Sequence, residues 1–369
     1  MAVGGVSTGT TTLPAIGSNS GTTTNVSVLS YDDSFSQAGY TGFDFTNTWY
    51  SIDGYTRPFL RVEYTTNIAN SHQLQLMTMD PTRDYTLARP IDLTAEMSNP
   101  SSMWNLATGF VPIGYVNGLS PITFTGSLEG GGNTITGLRI ASGGPFLGLI
   151  SVVGGSVNNL IIADGSVTLV DGSYDAGLLA AVNYGTITNS AVSGSITTGQ
   201  SQFIGGLVGI NYGTVSKDSA SVFISTTSGA ADIGGLVGYN GGNISNSYAA
   251  YPISGANMTN VGGLVGENGQ NPNGVPASIE TSYSDYAFII SGSISNIGTL
   301  VGYNSFGTVD SSYATDGGNI PFIGANGSTA SVKNSSVLSY SDSLLQASYV
   351  GFDFTNVWTI SAGQMPTLR

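Results

Sequence analysis

The chain has 369 residues, 53 of them glycine, and sets 8 Lys and Arg against 22 Asp and Glu for a formal charge of −14. Charged residues are only 8% and hydrophobic ones 40%, which excludes a disordered chain and a coiled coil or long helical bundle. Eight scattered cations cannot neutralise many phosphates, so nucleic acid and anionic membrane surfaces are excluded as partners, and the absence of Cys removes disulfides and thiolate metal sites.

In chain order, residues 1–24 read as a flexible Gly/Thr/Ser-rich segment. It has neither the basic start nor the apolar run of a signal peptide. Residues 25–61 read as the tail of a preceding repeat unit or an N-terminal cap. Residues 62–140 form an entry segment and first coils with a long loop. Residues 141–337 are the repeat region, and 338–369 a C-terminal tail or cap related to 25–61. No stretch reaches the roughly 18 apolar residues of a membrane-spanning helix, so direct membrane insertion is not expected.

Within 141–337 one phrase recurs: Gly-Leu-Val-Gly-x-Asn, a Gly-bearing turn, then Ile/Val-x-Asn/Asp-Ser-Tyr/Ala-Ala. Clear copies begin at Gly206, Gly235 and Gly263. Weaker ones start at Leu149, Leu178 and Leu300, and a shorter coil follows at Phe322 to Asn326. The leading leucines step by 29, 29, 29, 28 and 36, the long step carrying the insertion Gln270 to Pro276. The segments between glycines are short, β-branched and alternating, and no stretch shows a 3.6-residue period. Short strands at a fixed spacing predict an all-β, parallel β-helix (β-solenoid) with 28–29-residue coils of about three strands each, flanked by capping segments.

Stacked coils place equivalent side chains in columns. An interior aliphatic column is expected of Leu178, Leu207, Leu236, Leu264 and Leu300. A turn column of amides is expected of Asn211, Asn240, Asn268, Asn304 and Asn326. A third is expected of Ser190, Ser219, Ser247, Ser282, Ser312 and Ser335, and Tyr248, Tyr283 and Tyr313 are expected to stack. These residues read as architecture, not as a binding site.

The recurring Gly-Gly-Leu-Val-Gly-x-Asn followed by Ile-x-Asn-Ser-Tyr-Ala resembles the GLUG motif of large bacterial surface exoproteins, including filamentous-haemagglutinin-like adhesins and related two-partner-secretion proteins. The segments Leu74 to Met77, Tyr85 to Ala88, Gly109 to Gly114 and Phe124 to Gly130 fit the same resemblance, which runs from about Ile68 to the C-terminus. It implies a right-handed parallel β-helix, an extracellular or bacterial cell-surface location and a role in adhesion. It carries over no catalytic residue.

The two ends repeat each other. Asn25 to Arg61 aligns with Asn334 to Arg369 with 22 of 36 positions identical and one gap, at an offset of 309 and then 308 residues. A unit of about 308 residues is therefore expected to recur in a longer rod, with adjacent units of the same protein as partners. Matched caps on a single rod are the alternative.

Chemistry-bearing residues are sparse. His72 is the only histidine, so triad chemistry has one candidate base and no thiol, and no enzymatic activity or catalytic residue is expected. No cofactor is expected, with calcium the exception to consider: Asp164, Asp171 and Asp175 lie close in sequence, and hard cations take carboxylate oxygens. Trp104 and Tyr115, on the long loop Asn99 to Ser120, are candidate sugar-stacking residues, with a cap over the first coil as their other reading. The expected role is a structural and adhesive segment that binds a glycan or a surface protein of a host or neighbouring cell. Rival readings are a pectin-lyase-like polysaccharide-degrading enzyme and the passive shaft of a toxin-delivery exoprotein or phage tail fibre.

Overall fold

The computed structural model describes residues 2–3, 26–115, 120–141, 144–168, 175–227, 229–285 and 287–369. One full coil shows how the sequence builds the rest. Its strands are Phe203–Gly205, Val208–Asn211, Thr214–Ser216 and Ser219–Thr226, so each coil has four strands and not about three. Each strand pairs in parallel with its equivalents one coil before and one coil after. The result is four parallel sheets, here called first to fourth in the order of that coil, with 6, 7, 10 and 12 strands among the described residues.

Alternation decides which side chains point inward. Along Ser219–Thr226 every second residue is buried, and the single inward residues of the third sheet, Val157, Ile187, Val215, Ile244, Ile279 and Val309, have no exposed surface. The aliphatic column is also fully buried, but its members are Leu149, Leu179, Leu207, Leu236, Leu264 and Leu300. Pairing of Ala180 with Val208 places Leu179, not Leu178, beside Leu207. Leu178 takes the position of Gly206 and Gly235, and its extra volume is accommodated by Gly165, where a β-carbon would lie 3.1 Å from the Leu178 side chain. Beside Gly206 the corresponding space is filled by Ala220 and Val222.

Glycine at the fourth place of the motif has a steric cause. A β-carbon on Gly238 would sit 2.6 Å from the Ile204 backbone nitrogen, and one on Gly266 would sit 2.4 Å from the Asp232 carbonyl carbon. The first sheet thus crosses directly over the backbone of the second. Where Ser151 replaces this glycine, the first-sheet strand Phe146–Leu147 is two residues long; along the glycine column the strands lengthen to five.

The amide column is continuous, buried from Asn183 to Asn304 and exposed at its last member, Asn326. Asn183 donates to Asn211 (2.8 Å), Asn211 to Asn240 (2.8 Å), Asn240 to Asn268 (2.9 Å), Asn268 to Asn304 (2.9 Å) and Asn304 to Asn326 (3.3 Å). The side-chain oxygens of Asn183, Asn211 and Asn240 also accept from backbone N–H groups two residues on. At the next corner a serine column repeats a two-bond pattern. The Ser247 hydroxyl accepts from Asp218 N–H (3.1 Å) and donates to the Ser245 carbonyl (2.8 Å); Ser282 and Ser312 do the same. Ser219 is not in this column. Asp218 holds the place, and Ser219 pairs with Tyr248 in the column beside it. The residue before each member is left-handed, at Asn189, Lys217, Asn246, Thr281, Ser311 and Asn334. Asn adopts that conformation more readily than other non-glycine residues, which explains its recurrence there.

Short segments close the N-terminal end. Helix Ser71–Leu76, capped by the Asn70 side chain on Gln73 N–H (2.9 Å), lays Leu74, Leu76 and Met77 over the first coil with Trp104 and Phe110, all fully buried. Buried Gln75 accepts from the Trp104 indole (2.7 Å) and donates to the Val111 carbonyl (2.9 Å). His72 packs edge-on against Phe59 and Trp104 and meets Glu63 at 2.8 Å. Such a cover is needed because an open coil exposes unpaired strand edges.

Replacing Asn240 and Asn268 together by Ala is expected to cost about 2–4 kcal/mol, since buried partners lose bonds they cannot recover from water. Denaturant unfolding checks this, and an unchanged midpoint would refute a stabilising role for the column.

Candidate functional site

Among the described residues, the candidates read from the sequence fall in different parts of the fold. Trp104 has no exposed surface, so it is a cap residue and cannot stack on a sugar. Tyr115 is half-buried, with its hydroxyl 2.9 Å from that of Tyr55. Asp164 is exposed, in a left-handed conformation at a bulge within the fourth-sheet strand Ile161–Thr168. Asp175 is buried on the first sheet between Phe146 and Phe203, while Asp171 lies outside the described residues. Among the described residues no three acidic or histidine side chains lie close enough to hold a metal ion.

Two other features stand out on the surface. The first is a notch where the outer faces of the first and second sheets meet. The first sheet contributes the column Phe146, Asp175, Phe203, Asp232, Asn260 and Asn296; the second contributes Val152, Val182, Ile210, Tyr239, Glu267 and Tyr303. The notch is apolar at its start and polar further on. There Asn260 donates to Asp232 (2.6 Å) and Glu267 (3.3 Å), Ser305 donates to Glu267 (2.6 Å), and Asn296 donates to Asn260 (2.8 Å). Both carboxylates are tied down by these bonds. Burial pushes Asp175 and Asp232 up to about 7 and raises Glu267. At the serine corner, burial pushes Asp218 up to about 8, against the pull of N–H bonds from Ser190 (2.7 Å) and Ser216 (2.9 Å).

The second feature is a cleft of about 420 Å³ beside the fourth sheet. It forms where the C-terminal segment docks. Residues 339–369 fold into a compact module held by a Trp358–Leu368 antiparallel pair and by Arg369, which donates to the Trp358 and Phe354 carbonyls at 2.9 Å each. The module covers the tyrosine column. Tyr248 and Tyr283 stack with centroids 5.1 Å apart and planes 5° apart, and Trp358 packs against both. The Tyr283 hydroxyl donates to the Pro366 carbonyl, and that of Tyr313 to the Val350 carbonyl (3.0 Å).

One coil before Tyr248 the column drops to Ser219, and before that to Ala191. This loss of bulk opens the cleft beside the ring. Its polar lining includes Asn159, Asn189, Lys217, Asn356 and Arg369. Lys217 and Arg369 thus lie beside an aromatic ring and three amides, each of which also donates to a neighbouring side chain, Asn159 to Glu129, Asn189 to Asn158 and Asn356 to Asp353. Such a set can stack on a sugar face, hydrogen-bond hydroxyls and pair with a carboxylate. Sequence reading missed it because the lining residues come from two parts of the chain about 110–210 residues apart. The available signal was the replacement of the usual corner Asn by Lys217.

No protein-family model matches the chain. Halomucin of Haloquadratum walsbyi is 34% identical over 189 residues, a match covering 45% of this chain and 2% of halomucin. The chain therefore spans only a small part of that relative. A Bacteroides ovatus protein solved at 1.30 Å, named provisionally as an immunoglobulin A1 protease, superimposes with a TM-score of 0.58 at 17% identity, over 82% of this chain and 91% of that one. That likeness establishes the fold.

The raised carboxylates give stability a definite sign with pH. Each group binds its proton more tightly in the folded state than in the unfolded one, so its stabilising effect is full below about pH 4 and is lost as pH rises through 7–8. Unfolding free energy is expected to fall by about 3 kcal/mol or more between pH 5 and 8, with Asp218→Ser flattening part of the slope. Denaturant melts across that range test this; stability that rises with pH would contradict it.

Proposed function

We propose that the chain is a structural and adhesive segment of a large exoprotein displayed outside the cell. Its β-helix serves as a length of rod, and the cleft beside Tyr248 takes an acidic saccharide. The cleft on the flank of a continuous four-sheet column is the observation that carries this reading. Likeness to part of halomucin, whose name marks a mucin, supports an extracellular setting. The GLUG-like motifs support a surface exoprotein of the adhesin kind. In this reading the role is non-catalytic, which the scarcity of catalytic residue types in the sequence, with one histidine and no cysteine, supports. Weak contacts of this sort become strong through multivalency along a rod.

A glycan array probed with the purified chain tests the proposal. Retention of uronate- or sialate-bearing glycans, insensitive to EDTA, is expected. Lys217→Asn removes one cation while keeping the left-handed corner that Asn favours, so it should weaken binding about tenfold, or 1.4 kcal/mol, at unchanged or slightly higher stability. A blank array would mean a passive shaft, and an EDTA-sensitive hit would restore calcium to the picture.

A further inference from the structure

The 25–61 and 334–369 segments share more than sequence. Tyr40 donates to the Ser34 carbonyl (2.7 Å) as Tyr349 does to that of Ser343 (2.9 Å). Asp44 and Asp353 each accept from the Asn three residues on at 2.9 Å. Phe43 stacks on Trp49 at 4.7 Å and 30°, and Phe352 on Trp358 at 4.7 Å and 29°. Arg61 donates to the Trp49 and Phe45 carbonyls at 2.9 Å, as Arg369 does to those of Trp358 and Phe354. The two are one module, seen in two settings.

Those settings use different faces. The first copy packs on the N-terminal cap through Phe59 against Trp104, and through Arg57, which donates to the Ser102 and Pro100 carbonyls. The second copy packs on the tyrosine column through Phe352 and Trp358. The face used by the second copy is uncovered in the first: Trp358 has no exposed surface, whereas Trp49 and Phe43 are half-buried and Leu60 is 37% exposed.

We infer that the uncovered face of the first module, Phe43, Trp49 and Leu60, is the docking site for the tyrosine column of a preceding β-helix of this same kind. A single module would then clamp two successive β-helices, one on each face. A second observation points the same way. Ala2–Val3 pairs in parallel with Val28–Leu29 in the register by which Ala314 and Thr315 pair with Val337 and Leu338, so this edge already repeats the last rung of a β-helix. The sequence Pro14-Ala15-Ile16-Gly17-Ser18-Asn19 also echoes Pro321-Phe322-Ile323-Gly324-Ala325-Asn326. Each joint rebuilds the cleft as well, with Asn47, Leu60 and Arg61 in the places of Asn356, Leu368 and Arg369. The inference deepens the rod reading by naming its partner.

Tryptophan quenching tests it, since Trp49 is the only one of the three tryptophans that is not fully buried. A tandem joins residues 1–338 to Ser30 of the full chain, so that one module is shared, and carries Trp49→Phe in its first copy. Its remaining Trp49 sits at the joint. Acrylamide quenching should be as low as in the single chain bearing Trp49→Phe, and Tyr283→Ala in the first β-helix should restore it. Quenching equal to that of the wild-type single chain would overturn the inference, as would a tandem whose second β-helix melts separately and early. Saccharide binding by the single chain is independent of either result.

Discussion

Register is the constraint on which the structure depends. In a parallel stack with a two-residue side-chain period, a slip of one residue would turn the inward row of every strand outward. The interior asparagines oppose such a slip. Each amide bonds to its equivalent in the next coil, and most also bond backbone at the corner, so a shifted coil would leave several buried polar groups without partners. Hydrophobic burial supplies the larger stabilisation at roughly 25 cal/mol per Å², but it is tolerant of position. The amides supply the discrimination.

The same columns explain where the surface departs from regularity. Glycines let the first sheet cross the second and so create the notch. Exchange of Ala191 and Ser219 for Tyr248 along one column creates both the platform for the C-terminal module and the opening beside it. The cleft is thus a consequence of changing one column in mid-stack while the backbone register is kept.

Much of this was legible from the sequence, because a repeat displays its own columns. The coil length, the amide column from Asn211 onward and the stacking of Tyr248 on Tyr283 followed from spacing alone, whereas Tyr313, expected in the same stack, meets Tyr349 edge-on. Register within weak copies did not. The Leu178-Leu179 doublet offered two equivalent alignments, and only the space opposite Gly165 selects one. Adjacent Asp218 and Ser219 presented the same ambiguity, and motif matching favoured the serine although the buried corner took the acid. Asn183 was missed because its copy lacks the preceding glycine. Trp104 carried two readings, a sugar-stacking loop aromatic and a cap over the first coil, and the burial of its side chain selects the cap. The cleft was illegible for a different reason: it joins a corner of the β-helix to a module that follows it by more than a hundred residues.

Hydrogen exchange read by mass spectrometry across residues 180–310 tests the register claim most directly. If the amide column locks neighbouring coils, peptides from successive coils will exchange slowly and at similar rates, and Asn240→Ala will speed exchange in the coils on both sides of the substitution. Faster exchange confined to the substituted coil, with its neighbours unchanged, would contradict it.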